Sequence, residues 1–275
     1  MRILLSNDDG IYSAGIEALR AALDPLGEVW VVAPDREQSA VGQSISIHSP
    51  LRVREIAPRR FAVSGTPADS VYMALATLLP DRPDLVVSGI NHGVNLAEDV
   101  FYSGTVAAAN EAALRNIPAL ALSQDVRGFA RGIGDAPLTG PPDFRAAAAF
   151  ARGLVETFAA WGADVPRRSL LNVNVPIGAP KGVRVAFLGE RNYVSEVEKR
   201  SDPRDNPYYW IGGTDSRPAD IPGSDCNLLA EGYITVTPLR LDVTARDLFE
   251  RVEKLVEPAA RRVAALAAGP GGAKG

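Results

Sequence analysis

Short apolar runs punctuate the chain, separated by stretches in which apolar residues recur every three or four positions. Arg2–Ser6 reads RILLS, Val29–Ala33 reads VWVVA, Asp84–Ser88 contributes DLVVS and Ala119–Ser123 contributes ALALS. None of these alternates apolar with polar, which is the pattern of parallel strands covered on both faces. Ile16, Leu19, Ala22 and Leu23 follow the first run at helical spacing, and Thr105–Arg115 is helical in period before the fourth. Thr66-Pro67 supplies a hydroxyl N-cap and a proline at the first helical position, which starts a helix over 67–79. Strand–helix–strand repetition with right-handed crossovers predicts an open α/β sheet.

The pattern changes elsewhere. Ser44–Glu55 alternates and reads as an exposed strand or hairpin, while residues 124–143, rich in Gly and Pro, read as a loop. Leu170–Val175, Val183–Leu188 and Tyr233–Pro238 resume the strand pattern. Residues 189–227 hold Tyr193, Tyr208, Tyr209 and Trp210 among prolines and charges without a clear period, and read as an extended arm or insertion. Thr244 with Asp247 opens a last amphipathic helix with Leu248, Val252 and Leu255 on one face, which Pro258 should kink or break. The organisation expected is a core over 1–188, an arm over 189–227, a returning strand and helix over 228–268, and a disordered tail over 269–275.

Composition narrows the function classes. The 275 residues are 46% hydrophobic and 23% charged, ordinary for a globular domain. With 29 basic and 33 acidic residues the formal charge is −4, so no basic excess is present to hold a nucleic-acid polymer. Cys226 is the single cysteine, which excludes an intramolecular disulfide and a cysteine zinc cluster, and fits the cytoplasm. No apolar stretch is long enough to span a bilayer, and Ile3–Leu5 is too short for a signal-peptide core.

Candidate chemistry gathers where strands end. Asn7-Asp8-Asp9-Gly10 follows the first strand, at the edge where open parallel sheets bind ligands. These residue types make turns, and two adjacent carboxylates also suit a hard divalent cation. The loop Pro34–Ala40 follows the second strand, with Ser39 as a neutral oxygen donor. Ser88–Asn95 offers Asn91 and Asn95, whose side chains carry both carbonyl oxygens and amide donors, and His92, which can ligate a metal but among so many oxygen donors reads as a loop residue or a hydrogen-bond donor to substrate. Ser103-Gly104-Thr105 opens a helix, and its free N–H groups can bind an anion while Ser103 caps it. No Gly-x-Gly-x-x-Gly follows a strand and no Walker loop is present; His48 and His92 pair with no nucleophile motif.

Taken together these pieces resemble the SurE family of survival proteins, known as 5'-nucleotidases. Asn7–Gly10, Pro34–Ser39, Gly65-Thr66-Pro67-Ala68-Asp69, Ser88–Asn95 and Tyr102–Val106 match its motifs in order. Gly223-Ser224-Asp225 ahead of Gly232-Tyr233 is similar to a later Gly-Thr-Asp segment, with Ser for Thr, and Glu111 is followed by Ala112 where the family often has Gly. The resemblance implies a Rossmann-like core and one divalent cation per subunit, Mg²⁺ or Mn²⁺, held by Asp8, Asp9, Ser39 and Asn91. It implies hydrolysis of nucleoside 5'-monophosphates, with 3'-nucleotides and polyphosphate as further substrates. It also implies a homodimer or homotetramer built through C-terminal arms. In that reading Asp8 and Asp9 are catalytic, and Asn95, Ser103, Gly104 and Thr105 bind the phosphate. A non-catalytic nucleotide-binding regulator with the same cleft is the alternative, and a transferase using a metal–nucleotide is a third.

Overall fold

The structure is a computed structural model that describes residues 1–128, 140–161, 166–191, 197–211 and 218–267. Eleven strands are present among them. These are β1 (Arg2–Ser6), β2 (Glu28–Pro34), β3 (Val53–Ala57), β4 (Arg60–Val63), β5 (Leu85–His92), β6 (Ala119–Gln124), β7 (Ser169–Val175), β8 (Val183–Val185), β9 (Val197–Ser201), β10 (Pro207–Ile211) and β11 (Ile234–Arg240). Nine form one sheet in the order β3-β4-β2-β1-β5-β6-β7-β11-β8. From β4 to β7 every neighbouring pair is parallel; β3 with β4 and β7 with β11 are antiparallel. The sheet is therefore mixed at its margins and parallel through the middle.

Helices α1 (Ala14–Leu23), α2 (Pro67–Met73), α3 (Gly104–Leu114) and α4 (Arg145–Trp161) cover both faces. Ile16, Leu19 and Leu23 of α1 and Ala147, Ala151 and Val155 of α4 pack on Ile3, Leu5, Val87 and Leu122. Val71 of α2 with Val106, Ala109 and Ala113 of α3 packs on Leu4, Val32 and Val86. Successive residues of one strand thus enter opposite cores, so its whole run must be apolar. The chain runs from β1 to β2 on one side, and β5 then returns to the other side of β1. This reversal opens a crevice at the carboxyl ends of β1 and β5.

Several expectations need correction. Ser44–Glu55 is not one strand: pairing begins only at Val53. Upstream, polar groups are satisfied by the start of α2 instead of a ladder. Ser46 donates from N and Oγ to Asp69 at 2.9 and 2.7 Å, and Thr66 Oγ1 donates to the Ser44 carbonyl at 2.6 Å. His48 accordingly lies outside any strand. The 67–79 helix is α-helical to Met73 and widens to a π-turn over Ala74–Leu78, closed by Leu79 N–H to the Ala74 carbonyl. β5 does not stop at Ser88, because Asn91 and His92 keep pairing with Ser123 and Gln124 of β6. Val183–Leu188 keeps strand geometry only to Val185.

Within 189–227, β9 and β10 form an antiparallel hairpin whose residues are all exposed, Tyr208, Tyr209 and Trp210 included. By contrast α5 (Asp225–Ala230) buries Asp225, Cys226 and Leu229. Tyr193 and the tail from 269 lie outside the described residues, as does 129–139 of the expected loop. Residues from Asp242 onward form a separate compact unit. It holds α6 (Phe249–Ala267), which begins after a short 3-10 turn at Arg246–Leu248 and is not broken at Pro258, where a kink or a break was expected. Leu248, Val252 and Leu255 are exposed.

Candidate active site

The turn after β1 is built by its own side chains. Asn7 Nδ2 donates to the Gly10 carbonyl at 3.0 Å and to Ser13 Oγ at 2.8 Å, while Ser13 caps α1. Gly10 adopts φ +93°, a conformation that favours glycine, and this lets the chain reverse at once after two carboxylates. The turn reading of Asn7–Gly10 thus holds for its backbone, and leaves the Asp8 and Asp9 side chains for other work.

Asp8 is 4% exposed and accepts a short hydrogen bond from the Thr105 hydroxyl. Burial pushes its carboxyl up to about 6; the Thr105 bond opposes this, and the charge on Asp9 adds a smaller upward push. Burial likewise pushes Asp9 up to about 6, against the His92 backbone N–H that donates to it at 3.3 Å and with the charge of Glu37. Desolvation therefore outweighs the repulsion between the two carboxylates in raising Asp8. Among the described residues, the one basic side chain within ion-pair distance of either carboxylate is His92, its Nδ1 4.0 Å from Asp9 and charged only when protonated. Burial also lowers the His92 pKa, and its ring stacks on Phe144 at 5.0 Å.

A cleft of about 800 Å³ opens over these groups at the crevice between β1 and β5. Asp8, Asp9, Ser39, Asn91, Asn95 and Ser103 all line it, so four loops far apart in sequence converge there. The Ser39 hydroxyl donates to Glu37 at 2.9 Å, and Asn91 Nδ2 donates to the Gly93 carbonyl at 3.1 Å, which turns the Asn91 amide to a defined side. Ser103 caps α3, its Oγ accepting from Val106 N–H at 3.1 Å. Gly104 and Thr105 stand behind the cleft wall. Thr105 spends its hydroxyl on Asp8, and a Cβ on Gly104 would lie 2.7 Å from Asp8 Cβ. Glycine at 104 is what allows α3 to begin against the carboxylate.

The donor chemistry fits a hard divalent cation. Two carboxylates, a hydroxyl and a carboxamide face one cleft without a lysine or arginine paired to either carboxylate among the described residues. Among the described residues no cysteine or methionine lines the cleft, so soft ligation has no basis there, and since no three His, Cys, Asp or Glu of them gather, the hydroxyl and carboxamide oxygens would have to complete the set.

Sequence reading missed groups that shape the cleft. Arg36, Tyr12, Tyr102 and Arg127 line it, Tyr12 and Tyr102 with most of their surface exposed. Asp99 lines it too and pairs with Arg191, close to the start of the expected arm. Asp225 accepts from the N–H groups of Ala97 at 3.0 Å and Gly189 at 2.8 Å, tying α5 to the same loop region. The match of Gly223-Ser224-Asp225 to a family segment was the available signal, but it carried no role.

The comparisons agree with this geometry. The family model described as "Survival protein SurE" matches residues 3–195. The chain is 53% identical over 246 residues to a Myxococcus xanthus protein named 5'-nucleotidase SurE, covering 88% of each chain. It is 51% identical over 263 residues to an Anaeromyxobacter dehalogenans protein of the same name, covering 94% of this chain and 97% of the relative. A crystal structure of the SurE protein from Aquifex aeolicus superposes with a TM-score of 0.77 at 37% identity, covering 93% of this chain and 99% of that one.

Proposed function

The chain belongs to the survival protein SurE family, and on that premise we propose that it is a divalent-metal-dependent phosphomonoesterase. Its substrates are nucleoside 5'-monophosphates, with 3'-nucleotides and polyphosphate as further ones. The observation that carries this reading is the convergence of Asp8, Asp9, Ser39 and Asn91 on one cleft beside the capped start of α3. The relatives' shared name supports nucleotidase activity.

Asp8, Asp9, Ser39 and Asn91 would hold the cation. When bound, it supplies positive charge that offsets the two carboxylates and polarises oxygen. Thr105 fixes Asp8, while Asp9, the more accessible of the two, orients the attacking water and takes its proton. Asn95, Ser103 and the N–H groups at the start of α3 hold the phosphate oxygens and stabilise their developing charge. The water oxygen bonds phosphorus, the bond to the leaving alcohol breaks, the alkoxide takes a proton from solvent, and Asp9 returns to solvent the proton it took.

Assembly into a homodimer or homotetramer through the arm belongs to the same reading, supported by the exposed aromatic hairpin β9–β10. A cytoplasmic location is supported by the single free cysteine. Among the described residues no helix is long and apolar enough to cross a membrane. Phosphate release from a panel of nucleotides, run with Mg²⁺, with Mn²⁺ and after chelation, tests the function. Metal-dependent release is expected. Tight nucleotide binding without release under every condition would replace the enzyme by a regulator.

A further inference from the structure

The loop that carries Asn95 is held by side chains from a strand that the catalytic reading leaves unused. β7 reads SLLNVNV, and Asn172 and Asn174 have no exposed surface. A strand covered on both faces ordinarily gives such positions to apolar residues, as β7 itself does at Leu170, Val173 and Val175. The two asparagines instead meet the backbone of Asn95. Asn174 Oδ1 accepts from Asn95 N–H at 2.8 Å, and Asn174 Nδ2 donates to the Asn95 carbonyl at 3.0 Å. Asn172 Nδ2 donates to that carbonyl at 2.8 Å.

One carboxamide thus offers Asn95 the donor and acceptor that a neighbouring strand would offer. Ser123 of β6 stands beside Asn174 in register, and its Oγ accepts one hydrogen of Asn95 Nδ2 at 2.7 Å. Backbone and side chain of Asn95 are fixed together. The remaining amide hydrogen and the carbonyl oxygen belong to a side chain that lines the cleft.

We propose that Asn174, assisted by Asn172, is a positioning residue that sets where Asn95 stands and so how the phosphoryl group is held. This rests on the phosphatase reading, in which Asn95 binds phosphate. The alternative role is structural only, two buried amides that happen to meet a loop backbone, the Asn172 Oδ1 having no partner among the described residues. Thr237 of β11 supplies a control: it faces Asn172 across the β7–β11 ladder and is buried, and its hydroxyl has no partner among the described residues. Thr237→Val therefore alters the same ladder and removes no hydrogen bond to the Asn95 loop.

The experiment measures kcat, KM, the Ki of inorganic phosphate and the folded fraction for wild type, Asn174→Ala, Asn172→Ala and Thr237→Val. In Asn174→Ala, kcat should fall about a hundredfold, the effect of a small misplacement at a reacting centre. Phosphate should bind about tenfold more weakly. Asn172→Ala should shift in the same direction by less, and Thr237→Val should match the wild type. A purely structural role lowers the active fraction, so kcat would fall while KM and Ki stay fixed; that result overturns the proposal. If Asn174→Ala does not fold, Asn172→Ala decides: unchanged phosphate affinity refutes the positioning role, and weakened affinity supports it. Absence of phosphate release by the wild type from every nucleotide refutes instead the phosphatase reading on which the proposal stands.

Discussion

Placing a methyl group on Gly104 tests whether the start of α3 and Asp8 act as one unit. A Cβ there would stand 2.7 Å from Asp8 Cβ, 3.0 Å from Asp8 Oδ2 and 3.1 Å from Pro67 Cγ. Carbon atoms pack at about 3.5–4.0 Å, so Asp8 and the helix must part by roughly 1 Å. The backbone itself raises no objection, because Gly104 is helical. Crowding costs about 1–3 kcal/mol. The better helix propensity of alanine offsets up to about 1 kcal/mol of that. The net loss of stability is therefore small. A 1 Å misplacement costs about a hundredfold in rate, or roughly 3 kcal/mol in the barrier. Gly104→Ala should then melt close to the wild type and turn over nucleotide about a hundredfold more slowly. The assay is kcat and Tm on one preparation. Wild-type turnover in the folded variant would refute the coupling of Gly104 to Asp8.

Ser103→Ala separates capping from phosphate binding. The cap alone is worth about 1 kcal/mol of stability, whereas a donor to the phosphoryl group is worth about a hundredfold in turnover, and parallel melting and kinetic measurements tell them apart. Exhaustive chelation should abolish turnover while circular dichroism stays unchanged, and added Mg²⁺ or Mn²⁺ should restore it; full activity in chelator would reject the metal. Light scattering at micromolar concentration should show a dimer or tetramer, and a strictly monomeric mass would reject arm exchange. Burial pushes the Cys226 thiol up to about 12. It should therefore stay protonated at pH 9, where an ordinary cysteine of pKa about 8.5 is mostly thiolate; rapid alkylation of the native protein at that pH would contradict the burial described.

What could be read from the sequence follows from what each segment is packed against. β1, β2, β5 and β6 were legible because strands covered on both faces must be apolar throughout, and the shortness of the runs separates them from buried helices. The loops at Asp8, Ser39 and Asn91 were legible because strand ends in a parallel sheet collect ligands. Ser44–Glu55 misled because its alternation has another cause: Ser46 is bound to the capping box of α2, an arrangement made by residues twenty positions away. Asn172 and Asn174 were passed over since a strand pattern scores apolar positions, and nothing local says which backbone a buried amide will meet. Pro258 removes one N–H from α6 and clashes locally, yet the helix runs through it.

The place of β1 in the sheet has a consequence for how the molecule comes apart. β1 pairs with β2 on one side and β5 on the other, and the carboxylates of Asp8 and Asp9 hang from its end. Exchange of the Leu4 and Leu5 amides with solvent deuterium requires both ladders to open, which amounts to losing the sheet. Among the described residues the hairpin β9–β10 pairs only with itself, so its amides can exchange in an opening that leaves the rest intact. Two largely buried acids, costly to any fold, are thus lodged at the end of the segment that lets go last, and under mild denaturation the hairpin frays while the site still stands.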